Sequence, residues 1–140
     1  MARLIKLETA GKERTRLTKA VLIAIRELMR QTQPDETTRD LAAFISLALD
    51  AIAETIDASV GAWENRGYWV KADRFRMDWA WASRLADNMR QAVLTDDWLK
   101  VAQTTAQVAE RLNGIKIPQR HRMGTPWVGA YRKMIDVGKN

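Results

Sequence analysis

The segment Tyr68–Val93, YWVKADRFRMDWAWASRLADNMRQAV, decides the fold class. Tyr68, Ala72, Phe75, Trp79, Ala82, Ala86, Met89 and Val93 recur at steps of three and four, the spacing of one face of an α-helix. A half-buried strand would instead alternate at every second residue. The segment holds no Gly and no Pro, so nothing in it interrupts a helix. It predicts a helix over 68–93 with that stripe turned to a core.

The flanking segments read the same way. Leu41, Phe44, Ile45, Ala48, Ile52, Ile56, Ser59 and Trp63 predict a helix over 35–65. Pro34 stands near its first position, Asp35 and Glu36 suit the positive end of its dipole, and Gly67 is a fitting stop. Leu17, Val21, Ala24, Ile25 and Leu28 predict a helix over 13–30, preceded by a flexible segment over 1–11. Downstream, Thr95 as N-cap, Asp96 and Asp97 in the first turn, and Leu94 stapled to Leu99 predict a helix over 96–113, closed by Asn113-Gly114. Residues 115–124 read as a basic loop. Thr125 as N-cap with Pro126 at the first helical position opens a last helix over 126–137. The expectation is one all-α domain over 1–140, an antiparallel bundle of about five helices.

Composition agrees. A chain of 140 residues buries roughly 68% of its unfolded surface without needing a disulfide or metal, and its sequence has no Cys to supply one. The absence of Cys suits a reducing compartment. The start of the chain lacks the apolar region of a secretory signal, and the longest uncharged apolar stretch, Leu41–Leu49, is too short to span a bilayer. A cytoplasmic protein with no membrane contact is expected.

The net charge of +6 is unevenly placed. Residues 1–34 carry 8 Lys and Arg against 3 Asp and Glu, residues 35–65 carry 1 against 7, and residues 115–140 carry 6 against 1. On the first helix Lys12, Arg16, Lys19, Arg26 and Arg30 form one stripe, interrupted only by Ile23. At 1.5 Å per residue it is about 27 Å long, enough to follow several phosphates. An ordinary solvated face, partly paired with acids on the next helix, is the competing reading. Lys116, Arg120, His121 and Arg122 form a second cluster, in which the Arg forks match phosphate oxygens.

Asp40, Asp50, Glu54, Asp57 and Glu64 line the second helix. They read as partners for a basic neighbour, within the chain or on another subunit, with Asp50, Glu54 and Asp57 at its centre. A metal site would need convergence from a second element, and none is visible. On the third helix Trp81 falls off the core stripe and joins Val70, Arg74, Met77 and Arg84 in a mixed face. Trp and Arg on such a face can stack and hold an unpaired strand, or anchor a protein interface; the reading favours the interface for Trp81 and a phosphate contact for Arg74.

Catalytic signatures are missing. The sequence has no Gly-rich phosphate loop, no G-x-S-x-G, no H-E-x-x-H and no E-x-x-H, and its only His has no nucleophile or carboxylate pattern beside it. No enzyme, cofactor, metal or small-molecule substrate is expected.

The basic stripe Lys12 to Arg30, the segment Gly67-Tyr68-Trp69-Val70-Lys71-Ala72-Asp73-Arg74-Phe75-Arg76 and the basic tail after Gly114, on a Cys-free helical chain, resemble the small helical subunits of CRISPR effector complexes. The resemblance is one of architecture and charge over the whole chain, with no diagnostic motif. It implies a subunit with no active site that packs beside other subunits or copies of itself and holds target or displaced strand on its basic faces. It also allows an origin at an internal start within a larger gene. The expected function is therefore sequence-independent binding of DNA or RNA backbone inside a nucleoprotein assembly, through Lys12, Arg16, Lys19, Arg26, Arg30, Arg74, Arg120 and Arg122. The alternative is a helical adaptor that binds protein alone through Trp81, Trp98 or Trp127.

Overall fold

A computed structural model describes residues 7–138. These form five α-helices and no strand: α1 (Leu7–Met29), α2 (Glu36–Asn65), α3 (Trp69–Leu94), α4 (Trp98–Arg111) and α5 (Ala130–Gly138). α2 is the centre of the bundle. It packs along α1 on one side and α3 on the other, carries α5, and leaves α4 to pack on α3 with a slight contact to α1.

The sequence of α2 explains its place. Leu41, Ile45, Leu49 and Ile52 are fully buried, and Ala42, Ala43, Ala48, Ser46, Thr55 and Ser59 bury the flanks of the same helix. Small side chains let two helices lie close. Ser46 Oγ donates to the carbonyl of Ala86 at 2.8 Å, so the α2 side chain reaches the backbone of α3 directly. The α3 residues around it are Ala82, Leu85, Ala86 and Met89, all buried.

The turns follow from backbone chemistry. α2 ends in a Schellman motif: Gly67 N–H donates to Glu64 O at 3.0 Å, Tyr68 N–H to Trp63 O at 2.9 Å, and Gly67 has φ 83°. α3 ends in the same motif, with Asp96 N–H to Val93 O at 3.2 Å and Asp97 N–H to Ala92 O at 2.9 Å. Here the left-handed position is Asp96, at φ 52°, and its carboxylate pairs with Arg39 at 3.3 Å.

Several boundaries differ from those the sequence predicts. α1 begins at Leu7, so residues 7–11 are helical rather than flexible; Met1–Lys6 lie outside the described residues. Thr95 caps the end of α3, and Asp97 is the N-cap of α4, accepting from Lys100 N–H at 3.1 Å. The staple residues Leu94 and Leu99 are both exposed. α5 starts at Ala130 because Gly129, at φ 82°, leaves 126–129 as a turn. Asp40 of α2 then caps α5 from outside: Oδ2 accepts from Gly129 N–H at 3.0 Å and Oδ1 from Tyr131 N–H at 2.9 Å.

The third helix also departs from its stripe. Tyr68, placed on the core line by spacing, is exposed because it belongs to the turn. Trp81, placed on an outer face, is only 6% exposed and stacks on Trp79 at 5.6 Å. The 14 residues of α4 against 26 in α3 amount to about 21 Å against 39 Å, so α4 covers only the C-terminal part of α3, where Leu85 lines one cleft with Gln107 and Arg111. Leu85 and Ala92 are buried there, while Val70 and Met77, earlier on the line of Trp81, remain 75% and 76% exposed.

Replacing Asp40 by Ala removes both acceptors at the start of α5. The expected loss is about 1–2 kcal/mol, measured as a lower denaturation midpoint, with faster amide exchange confined to Ala130–Gly138.

Candidate functional site

α1 presents its apolar line to α2 and its cations outward. Lys12, Arg16, Lys19 and Arg30 are exposed, on the side opposite Val21 and Ala24. Arg16 pairs with Glu13, whose hydrogen bond raises the guanidinium above its ordinary value, and Arg30 pairs with Glu27 at 3.0 Å. Both are exposed i,i+3 pairs, which contribute little and exchange readily for another anion. Lys12 and Lys19 have no carboxylate partner among the described residues.

Arg26 is different. It is half-buried, and its guanidinium donates to the carbonyls of Pro118 at 3.1 Å and Gln119 at 3.4 Å. Ile23, on the same outward side, is only 2% exposed. The loop after α4 therefore crosses the basic stripe at this level, with Ile117 and Met123 packed on the core. Arg26 is thus a loop anchor rather than a free phosphate contact, and the stripe is not continuous along α1.

The loop fills the gap it makes. Lys116, Arg120 and Arg122 are exposed and have no carboxylate partner among the described residues, and Arg120 directly follows the second carbonyl that Arg26 holds. His121 Nδ1 accepts from Met123 N–H at 3.2 Å, which makes the His part of the local turn. The bonds of Arg26 thus bring the loop that carries the second basic cluster, about ninety residues away in the chain, onto α1 at the level of its basic stripe.

Arg74 does not join it. It stands on α3 beside the exposed Val70 and Met77 and lines a cleft with Trp63 and Phe75. Trp81, expected at an interface, is buried in the aromatic ladder of Trp63, Phe75, Trp79 and Trp81. Trp127 is buried as well, and Trp98 lines an apolar groove of about 580 Å³ with Ile25, Leu28, Met29 and Val101.

The acidic line divides. Asp40 caps α5, and Glu64 accepts from Arg76 at 2.8 Å. Asp50, Glu54 and Asp57 are exposed and unpaired among the described residues. Burial, and then the negative charge of Asp87, raise the Asp50 carboxyl above its ordinary range, against Arg90. No group of three or more His, Asp or Glu placed to hold a metal occurs among the described residues, and no described helix is long and apolar enough to cross a membrane.

One arginine escaped the sequence reading. Arg14 donates to Thr55 Oγ1 and the Thr55 carbonyl, both at 3.1 Å, and to Ser59 Oγ at 2.7 Å, with its guanidinium 4.8 Å from the centre of the Phe75 ring. Burial lowers its pKa from the ordinary value. Its place three residues before Leu17, on the apolar line of α1, is the signal that marks it as structural. It ties the end of α1 that carries Lys12 and Arg16 to the start of α3.

No family model, curated protein or solved structure matches this chain.

Two outcomes follow from this geometry. Arg26→Ala frees the loop, so trypsin should cut after Arg120 and Arg122 faster than in the unaltered protein while helix content stays constant. For Asp50, the folded state holds its proton more tightly than the unfolded state, so the ionised carboxylate costs stability once pH rises through that raised value. Below the unfolded carboxyl value of about 3.9 the cost is absent. Asp50→Asn should therefore raise the melting temperature at pH 7 and leave it unchanged at pH 3, as followed by circular dichroism.

Proposed function

We propose that the chain is a non-catalytic helical subunit of a nucleoprotein assembly and binds nucleic-acid backbone without sequence preference. The observation that carries this reading is the joining of the α1 stripe and the loop by Arg26. Lys12, Arg16, Lys19 and Arg30 on one element and Arg120 and Arg122 on another then present cations to one ligand. Loss of Arg26 as a direct contact is offset by its anchoring of two others. Phosphate contacts of this kind carry no base information, which fits a surface built from exposed Lys and Arg.

The rest of the assembly is read from the opposite charge. Asp50, Glu54 and Asp57 lie on a face of α2 and make no ion pair among the described residues. Burial and the charge of Asp87 raise the Asp50 carboxyl against Arg90, and a cation from a neighbouring subunit would favour its ionised form. A chain with one face for phosphates and another for a basic neighbour suits the side-by-side packing that its resemblance to CRISPR small subunits implies. The adaptor reading keeps one specific support: of Trp81, Trp98 and Trp127, only Trp98 borders an open apolar groove, which suits an amphipathic helix.

Salt titration separates the two. Contacts from Lys12, Arg16, Lys19, Arg30, Arg120 and Arg122 predict a slope of log K against log salt of about −4.2 on a single strand and −5.4 on duplex. Changing Lys12, Lys19, Arg120 and Arg122 together to Glu should abolish binding and leave the helical spectrum unchanged, since all four are exposed. Binding that is absent at low ionic strength, or insensitive to salt, refutes the nucleic-acid reading and favours the adaptor.

A further inference from the structure

The start of α3 carries an exposed aromatic edge that the backbone contacts above do not use. Tyr68 and Trp69 are 55% and 59% exposed, and Val70 and Met77 continue the surface. α4 is too short to cover this part of α3, which leaves these side chains open. Beside them a cleft of about 430 Å³ is lined by Trp63, Val70, Lys71, Arg74, Phe75 and Asp78.

Charge selects the occupant. Arg76 is held by Asp73 at 2.6 Å and Glu64 at 2.8 Å, so it is neutralised within the chain. Arg66 and Arg74 have no carboxylate partner among the described residues, and Lys71 Nζ lies 4.5 Å over the Trp63 ring rather than on an acid. Asp78 is the one unpaired acid of the cleft. The unpaired cations suit phosphates, while the Asp78 carboxylate repels phosphate and can accept the N–H groups of a base edge. The exposed rings of Tyr68 and Trp69 nearby in the chain offer π-faces that bases of any identity can stack on.

We infer that the edge formed by Tyr68, Trp69, Lys71 and Arg74 stacks the unpaired bases of a single strand, with the phosphates of that stretch on Arg66, Lys71 and Arg74. The inference rests on the nucleic-acid reading above and narrows it to single strands.

The test compares four probes on the full chain at one salt concentration by fluorescence anisotropy: a thymidine 20-mer, a uridine 20-mer, an abasic DNA strand of equal charge and a DNA duplex. Trp69→Ala should weaken binding of both base-bearing strands by about 5- to 150-fold, leave the abasic strand and the duplex unaffected, and leave the salt slope unaltered. Trp69→Phe should restore most of the loss. Trp69 is exposed, and an unchanged circular dichroism spectrum excludes unfolding as the cause. If Trp69→Ala binds every probe as the unaltered protein does, with the salt slope intact, base stacking is overturned and backbone binding stands. If the unaltered chain binds none of the probes at low salt, both readings fall. Binding of the aromatic edge to anionic vesicles in place of the strands, lost in Trp69→Ala, overturns the inference in favour of a lipid surface.

Discussion

The close approach of α2 and α3 is the constraint on which the rest of the molecule depends. The buried Ser46 hydroxyl bonds to the Ala86 carbonyl, so a side chain of one helix contacts the backbone of the next. A Leu in place of Ala82 or Ala86 would force the pair apart, because interiors are packed to crystal density and do not absorb added methylenes. With α2 committed to α3 on one side and α1 on the other, it has little free surface, and its carboxylates are pushed to a narrow outer line. α5 is then fixed by one of those carboxylates, Asp40, together with the burial of Trp127, Ala130 and Met134 in the core.

The remaining helix sets what is exposed. α4 covers the C-terminal part of α3 and stops, so a single line of residues changes character partway along: Val70, Arg74 and Met77 are open, Trp81 and Leu85 closed. Nothing local to these residues determines this. Trp81 and Val70 share one helical line, and spacing alone does not distinguish them. The aromatic ladder from Trp63 through Phe75 and Trp79 to Trp81 runs from the open part to the closed one, with Arg14 resting on its second ring.

These relations mark how far the sequence could be read. Helix identity was legible from spacing, because a stripe at steps of three and four is a property of one helix and needs no partner. The Gly67 stop was legible for the same reason, whereas Asp35, read into the first turn of α2 behind Pro34, is instead the N-cap, its side chain accepting from Thr38 N–H, with Pro34 outside the helix. Positions that depend on two elements were not. The N-cap of α4 shifted from Thr95 to Asp97 because Asp96 adopts a left-handed conformation that spacing cannot reveal, and Tyr68 left the core line because the turn claims it. At the candidate site the single cations were legible as exposed groups. Their union was not, because it depends on Arg26 reaching carbonyls ninety-odd residues away, a contact that leaves no periodic trace.

The arginines also sort by geometry in a way that net charge conceals. Arg14, Arg26 and Arg76 each bond two or more acceptors, while Arg39 pairs with Asp96 and lies over the Tyr131 ring; together they tie helices, a loop and a turn to one another. A planar fork suits that task, since its fixed donors match carbonyl and carboxylate pairs with little further loss of freedom. Lys12, Lys19 and Lys116 take no such part and stay in solvent. Removing the forked arginines from the count leaves cations on the outer side of α1, on the loop that Arg26 holds there and at the open start of α3, with Arg84, Arg111 and Lys133 exposed elsewhere. A uniformly basic protein would attract polyanions from every side. Here the internal bonds of the fold have already engaged Arg14, Arg26, Arg39 and Arg76, so fewer cations are open to a polyanion than the sequence count implies.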